Sequence, residues 1–172
     1  HNSLAVDPQT REVFGLVSQI LHQRVAVPRG ETVKQKRERA TRESRLWSQA
    51  VQKLPASPSG KCWVDVCDRG ADLFEFLATE QSRGRVCLVR SAHNRSMRIG
   101  HDGQGEQRLL HAYLKTLPAV GVSRSKEIYD RVLEKERTAQ LRVSYAAVEI
   151  LPPHVKKGEY ENQPIRAWGI RV

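Results

Sequence analysis

The stretch Cys62-Trp63-Val64-Asp65-Val66-Cys67-Asp68-Arg69-Gly70-Ala71-Asp72-Leu73 decides how this chain is read. Its first six residues are mostly apolar, which predicts a strand. Gly70 then marks a turn, and Leu73, Phe74, Leu77 and Ala78 fall on one face of a helix. Asp72 and Glu75 stand at capping-box spacing, so the helix is expected to start at Asp72. Arg85-Val86-Cys87-Leu88-Val89-Arg90 predicts a further strand. A strand, a helix and a second strand in this order close a right-handed parallel crossover. The reading is therefore of an α/β layer, with Asp68 at the carboxyl end of its first strand.

Upstream, Ser3 to Val6 and Glu12 to Leu21 flank Asp7-Pro8-Gln9-Thr10, where Asp followed by Pro suits a type I turn and predicts a β-hairpin. From Arg29 to Arg45 seven basic residues face three acidic ones, with Val33 the only sizeable apolar side chain, so this run is either a solvated loop or a helix start. Leu46, Trp47, Ala50, Val51 and Leu54 recur at helical spacing until Pro55 ends the pattern. Trp47 and Trp63 are expected in the core. Beyond Asn94 the character changes. A Gly-rich stretch (Gly100, Gly103, Gly105) precedes a helix expected from Glu106 to Leu117, and strands are expected near 120 to 128, 138 to 150 and 164 to 172. The second half thus reads as a β-rich annex.

Lys and Arg outnumber Asp and Glu by 29 to 19, a net charge of +10 with a pI near 10.0. That excess favours an anionic partner such as nucleic acid, and an acidic membrane surface would suit the charge equally well. No run of about 18 apolar residues or signal-like segment is present, so the expectation is a soluble, cytoplasmic protein without membrane contact. Three cysteines, Cys62, Cys67 and Cys87, suggest neither a disulfide framework nor a zinc site. The chain opens at His1 and closes at Val172 within expected strands, which reads as two cut ends of a larger protein.

An aspartate at the carboxyl end of a strand, beside a turn into a helix, lies where α/β sheets build their sites. Alternation puts Asp68 on the face of Val64 and Val66. On geometry alone it is either a ligand for a hard cation or a turn former. The string Val66-Cys67-Asp68-Arg69-Gly70-Ala71-Asp72-Leu73 closely resembles the stretch that holds the second aspartate of the DDE triad in bacterial insertion-sequence transposases. The resemblance implies an α/β fold: a partial RNase-H-like mixed sheet with flanking helices over residues 1–95, and a β-rich insertion over residues 96–172. It implies DNA transposition through metal-dependent strand cleavage and transfer, with Mg²⁺ or Mn²⁺ as cofactor. Transposon ends and target DNA are the implied partners, in a synaptic complex containing a homodimer. Asp68 is then the catalytic, metal-binding residue.

In that family the first aspartate lies on the strand before the hairpin, and the glutamate follows in a Tyr-x-x-Arg-x-x-x-Glu helix after the insertion. Neither string occurs here, so the chain alone is expected to be inactive. Asp7 is read as a turn former, and Glu127, Glu134 and Glu149 lack the family context. The resemblance also assigns Arg90 to the DNA-contacting face, against the alternative of a solvated strand end. Ala92 stands where relatives often carry a second basic side chain, with Arg95 and Arg98 as compensating candidates. Lys34, Lys36 and Arg37 are candidate phosphate contacts within a run that is equally readable as solvated. His93, His101 and His111 have no metal spacing and are expected in surface or packing roles. Trp168 is not equated with the family's base-stacking tryptophan.

Two other classes of function remain open. One is a non-catalytic DNA-binding or interaction module from a decayed or domesticated transposase. The other is a metal-dependent nuclease of the wider RNase-H-like group, which needs another acidic ligand.

Overall fold

The computed structural model describes residues 1–26, 29–32, 35, 39, 41–153 and 163–172, without the side chains of residues 122 and 123. The fold is mixed α/β and divides into two compact units, one built from His1–His93 and the other from Asn94–Pro152 with Gln163–Val172.

In the first unit, β1 (Asn2–Val6) and β2 (Val13–Gln19) form the expected antiparallel hairpin. Its turn is fixed locally, since Asp7 Oδ1 accepts the backbone N–H groups of Gln9 at 2.7 Å and Thr10 at 3.1 Å. Helix α1 (Arg45–Lys53) follows the apolar spacing read from the sequence. Strand β3 (Val64–Cys67) runs parallel to β4 (Val86–Val89), and the pairing Val64 with Val86 and Val66 with Leu88 puts their outward side chains in register. Between them lie a 3₁₀ turn, Arg69–Ala71, and helix α2 (Phe74–Ser82). The core is the cluster Val51, Ala71 and Phe76, against which Trp47, Cys67, Leu73, Leu77 and Val89 pack. Apolar burial of this kind contributes about 25 cal/mol per Å² removed from water.

Two pairs of strands are left side by side without a shared ladder, because β1–β2 and β3–β4 are separate two-stranded sheets. Between β1 and β3 lies an open slot of about 420 Å³, floored by Trp47, Ala50 and Val51 of α1. The faces of β3 and β4 turned away from the helices are apolar and exposed at Val64, Val66, Val86 and Leu88. A parallel sheet is ordinarily covered on both faces.

The second unit is an antiparallel sheet in the order β6-β5-β8-β7, with β9 also pairing β8. Its strands are β5 (Ser96–Ile99), β6 (Gln107–Leu109), β7 (Val120–Asp130), β8 (Lys135–Ile150) and β9 (Ile165–Arg171), with α3 (Leu110–Thr116) on one face. Met97, Leu110, Leu114, Val148, Ile150 and Ile165 form the buried side. The helix expected from Glu106 is corrected here: Gln107–Leu109 is a strand paired with Ser96–Arg98, and α3 starts only at Leu110. Among the described residues no helix is long and apolar enough to cross a membrane.

Candidate active site

Asp68 follows β3 directly in extended conformation and caps the 3₁₀ turn, its Oδ1 accepting the Gly70 N–H at 2.8 Å. The turn-forming role open from the sequence is thus present. A Cβ at Gly70 would stand 3.0 Å from Trp47 Cζ2 and 3.1 Å from Asp68 Oδ1, so glycine lets the turn close against the tryptophan. The Asp68 carboxylate is otherwise exposed, on the face of Val64 and Val66 that alternation predicts.

Arg90 follows β4 directly. Its N–H donates to the carbonyl of Cys67 at 3.1 Å, which extends the parallel ladder to the residue before Asp68. The two strand ends therefore bring Asp68 and Arg90 together at one edge of the unit, both exposed. Arg95 and Arg98 belong to the second unit. There Arg98 Nη1 donates to Glu149 Oε2 at 3.0 Å, and the Arg95 carbonyl accepts the Leu110 N–H at 2.8 Å. Lys34, Lys36 and Arg37 lie outside the described residues.

Asp72 is not the helix cap that its spacing predicts. Leu73 occupies the N-cap position of α2 without a side-chain bond, and Glu75 is paired instead with Arg42 at 2.8 Å. Asp72 is 4% exposed, and its Oδ2 accepts the N–H groups of Ala92 at 2.6 Å and His93 at 2.8 Å, with the Ser91 hydroxyl at 3.3 Å. Donors twenty residues away outcompete the local capping pattern because a buried carboxylate without partners is costly.

A second charged group sits at the opposite end of the strand pair. Arg85 Nε donates to Asp65 Oδ2 at 2.7 Å, Arg85 Nη1 to the Pro55 carbonyl at 3.0 Å, and Glu80 Oε2 lies 3.8 Å from the same Nε. Glu80 is 1% exposed; as a carboxylate it accepts no hydrogen bond among the described residues, whereas its protonated form can hydrogen-bond Asp65. Burial, with the Asp65 charge adding, pushes its carboxyl up to about 7. Burial also pushes the Cys67 thiol up to about 12 and that of Cys87 up to about 11, with Glu80 and Asp65 contributing. Both thiols therefore stay protonated at neutral pH and are poor nucleophiles. The sequence carried one sign of this cluster: Glu80 falls one turn after Phe76, on the buried face of α2.

Among the described residues, no group of three or more His, Cys, Asp or Glu side chains converges as a metal site. His101 has a packing role, with Nε2 2.9 Å from the Ala167 carbonyl and its ring against Trp168. Comparison with known proteins gives no assignment: no protein-family model matches the chain, and no curated protein matches it.

Proposed function

We propose that this chain is part of the RNase-H-like catalytic core of a DDE-type DNA transposase, with Asp68 as the second, metal-binding aspartate. One observation carries the reading: an exposed aspartate directly follows one strand of a parallel pair, and Arg90 directly follows the other. The carboxyl ends of strands are where open α/β sheets bind their ligands. The slot between β1 and β3 supports the fold half of the proposal. One more strand in it would join both pairs into a single mixed sheet, and the reading puts the first aspartate on that strand and the glutamate on a helix beyond β9.

Asp68 fits a divalent cation as one ligand of an incomplete set, since it offers an exposed carboxylate whose Oδ2 has no partner among the described residues. Mg²⁺ takes one or two carboxylates together with phosphate oxygens. Mg²⁺ or Mn²⁺ bound there would stabilise the attacking and leaving oxygens in phosphoryl transfer. Arg90 would contact phosphate near the scissile bond, and Arg95, Arg98, Lys34, Lys36 and Arg37 are further candidates for backbone contacts that carry no sequence information. A homodimeric synaptic complex in the cytoplasm belongs to the same reading.

The test is Asp68→Asn in the full-length transposase. Cleavage and joining of transposon-end DNA should collapse while end binding persists. Near wild-type cleavage by that variant overturns the assignment.

A further inference from the structure

The exits of β3 and β4 are tied together by a closed path of hydrogen bonds. Asp68 Oδ1 holds Gly70, the Asp72 N–H donates to the Arg69 carbonyl at 3.2 Å, and the Asp72 carboxylate reaches Ser91, Ala92 and His93. The path returns through Arg90, whose N–H bonds the Cys67 carbonyl next to Asp68. Two consecutive N–H groups aimed at one carboxylate oxygen fix two peptide planes, and so the course of the chain just after Arg90. Bonds to a charged acceptor are roughly twice as strong as neutral ones. Here the acceptor's residue is only 4% exposed, so water competes little.

We propose that Asp72 is a positioning residue: its carboxylate holds Ser91–His93 against the turn that follows Asp68, and so sets the direction in which Arg90 meets the phosphate backbone. The DNA half of this inference rests on the transposase reading. The ordering of residues 91–93 does not. Asp72 contacts no reacting atom in this scheme. Its charge acts through the backbone of the next strand exit.

The experiment combines amide hydrogen exchange with duplex DNA binding for the wild-type chain, Asp72→Asn, Asp72→Ala, and each of these carrying Arg90→Ala. Exchange at Ala92 and His93 should speed up by about tenfold or more in Asp72→Ala, as loss of charge-assisted bonds implies. Asp72→Asn, which keeps an acceptor oxygen, should lie between. Amides of the β3–β4 ladder should keep their protection. Arg90→Ala should weaken duplex binding clearly in the wild-type background and by a much smaller factor in Asp72→Ala. Unchanged exchange at Ala92 and His93 overturns the proposal. So does an equal Arg90→Ala effect in both backgrounds, or an equal loss of protection throughout β3 and β4, which would make Asp72 a stability residue only. A wild-type chain without duplex affinity overturns the DNA half together with the transposase reading, and the exchange rates then decide the ordering role alone.

Discussion

Asp65 and Glu80 converge on one guanidinium: Arg85 Nε lies 2.7 Å from Asp65 Oδ2 and 3.8 Å from Glu80 Oε2. Asp65 has the hydrogen bond, and Glu80, more deeply buried, is left with the longer contact. Burial, and then the Asp65 charge beside the same cation, therefore favour the protonated form of Glu80 up to about pH 7.

A pH dependence follows. Glu80 titrates at about 7 in the fold against an ordinary value of 4.5, so the folded protein binds this proton more tightly than the unfolded chain. The unfolded state loses the proton first as pH rises, and the contribution of Glu80 to stability falls between about pH 4.5 and 7 and is flat above. Glu80→Gln removes the ionisation. At pH 8 the variant should be more stable than wild type by about 1–3 kcal/mol, on the order of 1.4 kcal/mol per pKa unit. Denaturant unfolding at several pH values reads this. Wild-type stability that rises from pH 5 to 7 through Glu80 would refute it.

The second unit depends on a close backbone approach at Gly105. A Cβ there would overlap the carbonyl oxygen of Ile99, a strand residue that the β5–β8 pairing holds opposite Val148. Gly105→Ala should destabilise this unit by about 3 kcal/mol or more, at the upper end of overpacking costs. Gly60 has open space around it but φ of +70°, so Gly60→Ala should cost only the left-handed strain of about 1–2 kcal/mol. Comparable losses in thermal unfolding for the two variants would contradict the steric argument.

The parts of the fold legible in the sequence are those set by local chemistry. The Asp7-Pro8 turn and the apolar spacing of α1 depend on neighbours within a few residues, and the strand, turn, helix and strand around α2 each carry their own short local pattern, although the β3–β4 pairing itself joins residues 22 apart. What was not legible depends on distant partners. Residues 107–109 follow a Gly-rich stretch and look like a helix start, yet their pairing with β5 makes them a strand. Asp72 carries a local capping signature, yet Ala92 and His93 claim its carboxylate. Of the candidate site, the position of Asp68 could be read from alternation with Val64 and Val66. The clamp beside it could not, because no periodicity relates residue 72 to residues 91–93.

The excess positive charge predicts duplex DNA binding governed by salt. Each phosphate contact should lower log K by about 0.9 for every log unit of salt. Arg90→Ala should reduce that slope by about one contact with little dependence on sequence. Binding that is indifferent to salt between about 50 and 200 mM would remove the electrostatic basis for the DNA assignment.

Asp68 has two separable jobs under the proposed function, and two substitutions distinguish them. Its Oδ1 holds the Gly70 N–H and starts the turn, a structural task that asparagine performs about as well as aspartate. Its charge would draw a divalent cation, a task that asparagine cannot perform. Asp68→Asn should therefore leave stability within a few tenths of a kcal/mol of wild type, whereas Asp68→Ala loses the cap and should cost about 1 kcal/mol. In the full-length transposase both should abolish cleavage, so activity does not follow stability across the series. If activity instead followed stability, with Asp68→Asn close to wild type and only Asp68→Ala impaired, the turn would account for Asp68 and the metal-binding role would be lost.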